Sequence, residues 1–75
     1  MQGSKLYVGN LNYSVTNEQL EELFSAHGNV QSAKVIGDKG FGFVEMGGPG
    51  ESRAAMKKLN GKEVAGSRIR VKQAQ

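Results

Sequence analysis

Hydrophobic and polar residues alternate in four short segments of the chain and follow a helical spacing in two longer ones. Alternation places successive side chains on opposite sides of a β-strand, whereas a spacing of three and four residues places apolar side chains along one side of a helix. The predicted strands are Lys5–Gly9, Val30–Ile36, Lys39–Met46 and Arg68–Lys72. One helix is predicted after the first strand and one after the third, which gives the order β-α-β-β-α-β.

The first predicted helix is bounded by residues that favour helix ends. Thr16 suits the N-cap position, and Gln19, three residues later, completes a capping box. Leu20 and Phe24 follow at a helical spacing and predict a buried side. We expect Gly28 to end the helix in the C′ position, where glycine is favoured.

Turn residues mark the remaining boundaries. Gly37-Asp38 is a two-residue connection that suits a hairpin turn between the second and third strands. Pro49 suits the first position of the second helix, and Asn60-Gly61 ends that helix. Val64 lies in a turn region that can form a small extra strand.

This order of elements predicts an α+β, ferredoxin-like sandwich. Four antiparallel strands form one sheet, and both helices cover the same face of it. We interpret residues 1–4 as a flexible lead or a cloning remnant and residues 5–74 as a single domain. Because the helices leave the second face of the sheet open to solvent, functional residues are expected there.

Strand alternation assigns the third strand to the two faces. Phe41 and Phe43 lie on the same side as Lys39 and Glu45. If the phenylalanines were in the core, two ions would be buried with them, at a cost of several kcal/mol each unless paired. We therefore expect Val44 to face the core and the two phenylalanines to face outward.

The same reasoning assigns the remaining strand positions. Gly40 and Gly42 are expected where a helix packs closely on the sheet. Tyr7 is expected to face outward because Leu6 and Val8 are the inward residues of its strand. The predicted open face carries the following aromatic and cationic residues: Tyr7, Phe41, Phe43, Lys5, Lys34, Lys39, Arg68, Arg70 and Lys72.

Aromatic rings surrounded by cations are suited to a partner that is both flat and anionic. Bases stack on exposed rings, and phosphates contact ammonium and guanidinium groups, so the pattern predicts binding of single-stranded nucleic acid. The formal net charge of +3 agrees with an anionic partner. A protein-interaction patch is the alternative interpretation of three exposed rings.

Composition excludes several other classes of protein. The 75 residues contain no cysteine and a single histidine, His27, which excludes disulfides, thiolate metal sites and a histidine-rich metal cluster. No apolar run approaches the roughly 18 residues of a membrane-spanning helix. No nucleophile with a nearby general base, carboxylate pair or phosphate-binding loop is evident, so we expect a non-catalytic protein without a cofactor. The lack of a signal-peptide pattern favours an intracellular protein, and the lack of a second apolar stripe favours a monomer.

Two segments resemble the conserved motifs of the RNA recognition motif (RRM) family. Lys39–Met46 is similar to the eight-residue RNP1 motif, whose pattern is K/R-G-F/Y-G/A-F-V-x-F/Y, and Leu6–Leu11 is similar to the six-residue RNP2 motif. Seven of the eight RNP1 positions fit; the exception is Met46, which alternation places in the core. The resemblance covers residues 5 to about 74.

This resemblance implies a strand order of 4-1-3-2 and single-stranded RNA as the partner, with single-stranded DNA as a second candidate. It implies that Tyr7 and Phe41 each stack beneath a base and that Phe43 lies against the sugars between them. Lys39 would contact a phosphate. Glu45 would either accept a hydrogen bond from a base amino group or pair with a neighbouring cation.

Three further positions bear on how the RNA would be held. Gln73, just beyond the last predicted strand, would add base contacts as such residues commonly do in the family. The Gly37-Asp38 connection is shorter than the basic loop that many members carry, so we expect modest affinity. Tyr13 could contact RNA, but packing against the edge of the core is favoured. The alternative function is an RRM that binds proteins through its helical face.

Overall fold

The described elements follow the predicted order, with one small hairpin added before the last strand. The computed structural model describes residues 4–36 and 39–74. Its elements are β1 (Lys5–Gly9), α1 (Asn17–Ser25), β2 (Val30–Ile36), β3 (Phe41–Met46), α2 (Pro49–Leu59), β4 (Glu63–Val64), β5 (Ser67–Arg68) and β6 (Arg70–Gln73).

Four of the strands form an antiparallel sheet in the order β2-β3-β1-β6. With β6 as the fourth main strand, this is the predicted order 4-1-3-2, and the α+β sandwich is confirmed. The register pairs Leu6 with Val44 and Val8 with Val71, so inward residues face inward residues across the strands. The two aromatic strands, β1 and β3, are therefore central and adjacent.

Both helices pack on one face of this sheet and enclose the core. Leu20 and Phe24 of α1 and Ala55 and Leu59 of α2 are buried. Burying a large apolar side chain contributes about 1.5–3 kcal/mol, so this layer is the main source of stability. The sheet contributes the following buried residues to the same cluster: Leu6, Val8, Val44, Met46 and Val71.

The start of α1 is as predicted, whereas its end differs. The Thr16 hydroxyl accepts a hydrogen bond from the Gln19 amide, and the Gln19 side chain accepts one from the Thr16 amide. The helix stops at Ser25 with Ala26 as its C-cap, so Gly28 lies one position beyond the expected C′ site. Its φ of +153° is a conformation that glycine adopts without strain.

The third strand begins two residues later than predicted. Gly40 has φ +75° and its carbonyl accepts a hydrogen bond from the Leu11 amide, so Lys39 and Gly40 form a turn before β3. Gly40 therefore does not face a helix. Gly42 does, because a Cβ there would lie 3.3 Å from Leu20 Cδ2. The predicted hairpin turn at Gly37-Asp38 lies outside the described residues.

The last predicted strand is divided between two sheets. Arg68 pairs with Glu63 in the β4–β5 hairpin, which confirms the extra strand expected at Val64. Ile69 is buried between the hairpin and the sheet, and its amide donates to the Lys62 carbonyl. The fourth strand of the main sheet, β6, begins at Arg70. Arg68 therefore does not belong to that sheet, contrary to the prediction.

Candidate nucleic-acid interface

Three aromatic rings contact one another on the face of the sheet opposite the helices. The ring centroids of Tyr7 and Phe41 are 5.6 Å apart, those of Tyr7 and Phe43 5.9 Å, and those of Phe41 and Phe43 5.7 Å. The strand register explains their proximity, since Tyr7 pairs with Phe43 and Phe41 lies across from Gly9. We call Tyr7, Phe41 and Phe43 the ring cluster. Each member is half-buried, and each ring contacts the other two.

The absence of a side chain at Gly9 gives the Tyr7 ring its place. A Cβ atom added to Gly9 would lie 3.0 Å from both Cε2 and Oη of Tyr7. This is tighter than normal van der Waals contact, so the Tyr7 ring lies over the backbone of its own strand at Gly9. Any residue larger than glycine at position 9 would therefore displace the Tyr7 ring.

Lys5 contributes a cation to the ring cluster. Its Nζ atom lies 5.3 Å from the centroid of the Phe43 ring, within the range of a cation–π interaction. Glu45 is exposed and lies across from Lys5 on one side and Ser32 on the other. This register brings the carboxylate of Glu45 to the end of the open face where β1 begins.

Three further cations share the open face through their strand pairing. Lys34 pairs with Phe43, Lys72 pairs with Tyr7, and Arg70 pairs with Gly9. Cross-strand partners project on the same side of a sheet, so these side chains flank the ring cluster on both of its edges. All three are exposed.

The structure places the other predicted site residues outside the sheet face. Lys39 is exposed and lies before β3, beside a groove that it shares with Tyr7. Arg68 is exposed in the β4–β5 hairpin, and its carbonyl accepts a hydrogen bond of 2.7 Å from Asn10 Nδ2. Gln73 pairs with Leu6, which alternation assigns to the helical side of the sheet.

The loop between β1 and α1 contains an aromatic residue whose position differs from the prediction. Tyr13 is 80% exposed, so the expectation that it packs against the core edge is wrong. The residues of this loop that pack in the core are instead Leu11 and Val15, which are buried. Neither a strand nor a helical period applies to this loop, so the sequence contains no periodic signal for the exposure of Tyr13.

An open groove connects this loop with the ring cluster. Tyr7 and Tyr13 both line it, together with the cations Lys39 and Arg70. Its remaining lining residues are Asn10, Leu11, Asn12 and Gly40. The groove thus combines two aromatic rings with two positive charges, a combination that suits the flat base and the phosphate of a nucleotide.

Residues 4–36 and 39–74 offer no features of a metal site or of a membrane-spanning helix. Within these ranges, no three histidine, cysteine, aspartate or glutamate residues are grouped as a metal ion would require. None of the described helices is long and apolar enough to cross a membrane.

Comparison with known sequences identifies relatives over the whole fold. The sequence matches the RNA recognition motif family over residues 6–70. It is 45% identical to polyadenylate-binding protein 5 of Arabidopsis thaliana, covering 100% of this chain and 12% of that protein. It is 42% identical to the chloroplastic 28 kDa ribonucleoprotein of Spinacia oleracea, covering 95% of this chain and 33% of that protein. The chain therefore spans a third or less of these two curated relatives.

Comparison with solved structures gives the same result at the level of the backbone. The crystal structure of the RNA binding protein PG1 superimposes with a TM-score of 0.89 at 43% identity, covering 95% of this chain and 93% of that chain. The strand order, the ring cluster on β1 and β3 and the match over residues 6–70 agree. The chain belongs to the RNA recognition motif family.

Proposed function

We propose that this domain binds single-stranded RNA on the open face of its sheet, through the ring cluster. The observation that carries the proposal is the mutual contact of three aromatic rings on the face that no helix covers. Contiguous apolar groups on an accessible surface mark interaction sites, and bases are suited to stack on aromatic rings. Family membership and the names of the relatives support RNA as that partner.

The ring cluster would bind successive nucleotides by stacking. Tyr7 and Phe41 lie side by side with centroids 5.6 Å apart and would each receive a base, while Phe43 would contact the sugars between them. Each stacked base contributes about 1–3 kcal/mol, so stacking would supply most of the binding free energy. Because every base has a π-face, the cluster alone favours single strands over any particular sequence.

The flanking cations would hold the phosphates that join these nucleotides. Lys34 lies on the β2 side of the ring cluster, and Arg70 and Lys72 lie on the β6 side. Lys5 already faces the Phe43 ring, so it would reinforce the stacking surface as well as attract the strand. Glu45 is the one acidic member of the predicted site, and it would accept a hydrogen bond from a base amino group or pair with Lys5.

Binding of this kind requires no reaction and no second copy of the chain. We propose a non-catalytic, monomeric, intracellular module that acts by binding RNA. Light scattering after size exclusion tests the monomer, whose expected mass is 8.0 kDa. A mass of twice that value in the absence of RNA would contradict it.

The decisive experiment replaces a ring while keeping its bulk. Phe41→Leu retains an apolar side chain of similar size but removes the π-face, so folding is preserved while stacking is lost. Fluorescence anisotropy with a labelled random-sequence RNA hexamer would measure the dissociation constant, and circular dichroism would verify the fold. We expect Phe41→Leu to weaken binding at least about fivefold, the lower limit for one stacked base.

The matched control is Lys58→Ala, which removes a cation from the exposed side of α2. It should bind the hexamer as the unchanged protein does. A DNA hexamer of the same random composition shows whether the 2′-hydroxyl contributes. The proposal is wrong if the unchanged protein does not bind RNA, or if Phe41→Leu binds it equally well. Binding lost by Lys58→Ala alone would instead place the interface on the helical face.

A further inference from the structure

We infer that Tyr13 forms an additional nucleotide-binding position beside the sheet, so that the RNA continues from Tyr7 into the groove lined by Tyr13, Lys39 and Arg70. This inference rests on the proposed function and extends it. Strand alternation does not assign Tyr13 to either face of the sheet, because the residue lies in the loop between β1 and α1. The residue is 80% exposed and is the one large hydrophobic residue that is exposed in the described part of the chain.

The backbone that carries Tyr13 is held in place although the side chain is not. Leu11 and Val15 on either side of it are 6% and 4% exposed, and both belong to the hydrophobic core. The Val15 amide donates a hydrogen bond of 3.1 Å to the Asn12 carbonyl, which closes a turn with Tyr13 inside it. The Leu11 amide donates to the Gly40 carbonyl at 2.8 Å and so ties the loop to the start of β3.

Two asparagine side chains fix the same loop to the β4–β5 hairpin. Asn12 Nδ2 donates to the Ala65 carbonyl at 3.1 Å, and Asn12 Oδ1 accepts from both the amide and the hydroxyl of Ser14 at 3.0 Å. Asn10 Nδ2 donates to the Arg68 carbonyl at 2.7 Å. A partner that stacks on Tyr13 would therefore order one side chain rather than a whole loop, which lowers the entropic cost of binding.

The chemistry of the groove identifies the class of ligand. Two aromatic rings, Tyr7 and Tyr13, line it together with two cations, Lys39 and Arg70. A nucleotide presents a flat base to a ring and a phosphate to a cation, and a strand stacked on Tyr7 already lies at one wall of the groove. An isolated exposed tyrosine would need no explanation, but one beside two cations on an anchored loop is arranged for a nucleotide.

The amino-acid composition permits a direct spectroscopic test of this position. The chain contains two tyrosines, Tyr7 and Tyr13, and no tryptophan. In the Tyr7→Phe variant, all tyrosine fluorescence comes from Tyr13; in Tyr13→Phe, all of it comes from Tyr7. Stacking on a base quenches the excited ring, and the loss of steady-state tyrosine intensity, corrected for absorption by RNA, reports this.

The titration uses random-sequence RNA hexamers with each variant. We expect the Tyr13 emission of Tyr7→Phe to fall with the same midpoint as the anisotropy of the labelled hexamer. The Tyr7 emission of Tyr13→Phe should fall as well, which tests the ring cluster separately. Tyr13 emission that stays constant while anisotropy shows binding would overturn the inference and leave the proposed function intact. Constant emission in both variants would overturn both.

An affinity comparison provides the second readout. The unchanged protein should bind a hexamer more tightly than a dinucleotide, since the dinucleotide fills the ring cluster and leaves the groove empty. Tyr13→Ala should weaken hexamer binding at least about fivefold and dinucleotide binding less. Tyr13→Phe, which keeps a ring, should lose less than Tyr13→Ala. Equal losses for the two RNA lengths, or none, would contradict a separate nucleotide position.

Discussion

The two faces of the four-stranded sheet use the same amino acid for different purposes, as Phe24 and Phe41 show. Phe24 projects from α1 onto the helical face and is 0% exposed, surrounded by the hydrophobic core. Phe41 projects from β3 onto the open face, is half-buried and contacts Tyr7 and Phe43. One ring is held by a closed layer of side chains, and the other by two neighbouring rings and the strand beneath it.

This difference separates stability from binding within a small domain. A buried ring is surrounded by contacts that the unfolded chain lacks, so its removal acts mainly on folding. A half-buried ring retains a free face that a ligand can cover, so its removal acts on both folding and binding. Substitutions matched between the two faces can measure how complete this separation is.

The largest expected effect is that of Phe24→Ala. Removing a buried phenylalanine typically lowers the free energy of unfolding by about 3–5 kcal/mol, because apolar burial is lost and a cavity is left behind. Urea denaturation followed by circular dichroism would measure the loss. The fraction that remains folded should bind RNA with unchanged affinity. A loss below about 1 kcal/mol would show that the helical face is not the closed layer described above.

Phe41→Ala is the matched change on the open face. We expect RNA binding to weaken by about 1–3 kcal/mol, since one stacking surface is lost. The free energy of unfolding should fall by about 1–2 kcal/mol, because Phe41 contacts two other rings. Both quantities follow from the same urea and anisotropy measurements. If Phe41→Ala destabilised the fold as much as Phe24→Ala, the two faces would not differ as proposed.

A smaller effect is expected from Gly9→Ala, which tests the position of a ring rather than its presence. The new Cβ would lie 3.0 Å from the Tyr7 ring and would force it to move by a few tenths of an ångström. We expect a loss of RNA affinity of about two- to fivefold, below the cost of a complete stacking interaction. Stability should change little.

The control for Gly9→Ala is the same substitution in a Tyr7→Ala background. With the ring absent, the added methyl group has nothing to displace, so it should cause no further loss of affinity. An equal loss in both backgrounds would show that Gly9 acts on the RNA directly.

The smallest effect concerns the cations around the ring cluster. If about two to four phosphates are contacted, the logarithm of the binding constant should fall with the logarithm of salt concentration with a slope of about −1.4 to −2.8. Arg70→Ala should reduce the magnitude of that slope by about 0.7, the value for one phosphate on a single strand. Lys58→Ala on α2 should leave it unchanged. A slope near zero would remove phosphate contacts from the proposal.

Strand alternation is sufficient to predict the faces of the sheet. Leu6, Val8 and Val44 are buried, whereas Tyr7 and Phe43 are only half-buried and lie on the opposite side, as alternation requires. Alternation does not report contacts between strands, which is why it cannot show that the three rings partly bury one another. That property depends on the register of β1 against β3.

Most errors of prediction lie where the backbone leaves a regular strand or helix. Gly40 satisfies the alternation of β3 but has φ +75°, and Arg68 satisfies that of β6 but belongs to the β4–β5 hairpin. Tyr13 lies between two buried residues of a loop, for which neither a strand nor a helical period applies. Such positions are fixed by hydrogen bonds between distant segments, and a single sequence does not display these.

The place of β1 in the centre of the sheet has a consequence for how the chain assembles during its synthesis. Tyr7 pairs with Lys72, which is translated roughly 65 residues later. At a synthesis rate of about 5–20 residues per second, β6 is made on the order of three to thirteen seconds after its neighbour β1. Until then the edge of β1 is an unpaired template for other strands. The interval between the synthesis of β1 and that of β6 is therefore the time when this domain is most prone to aggregate.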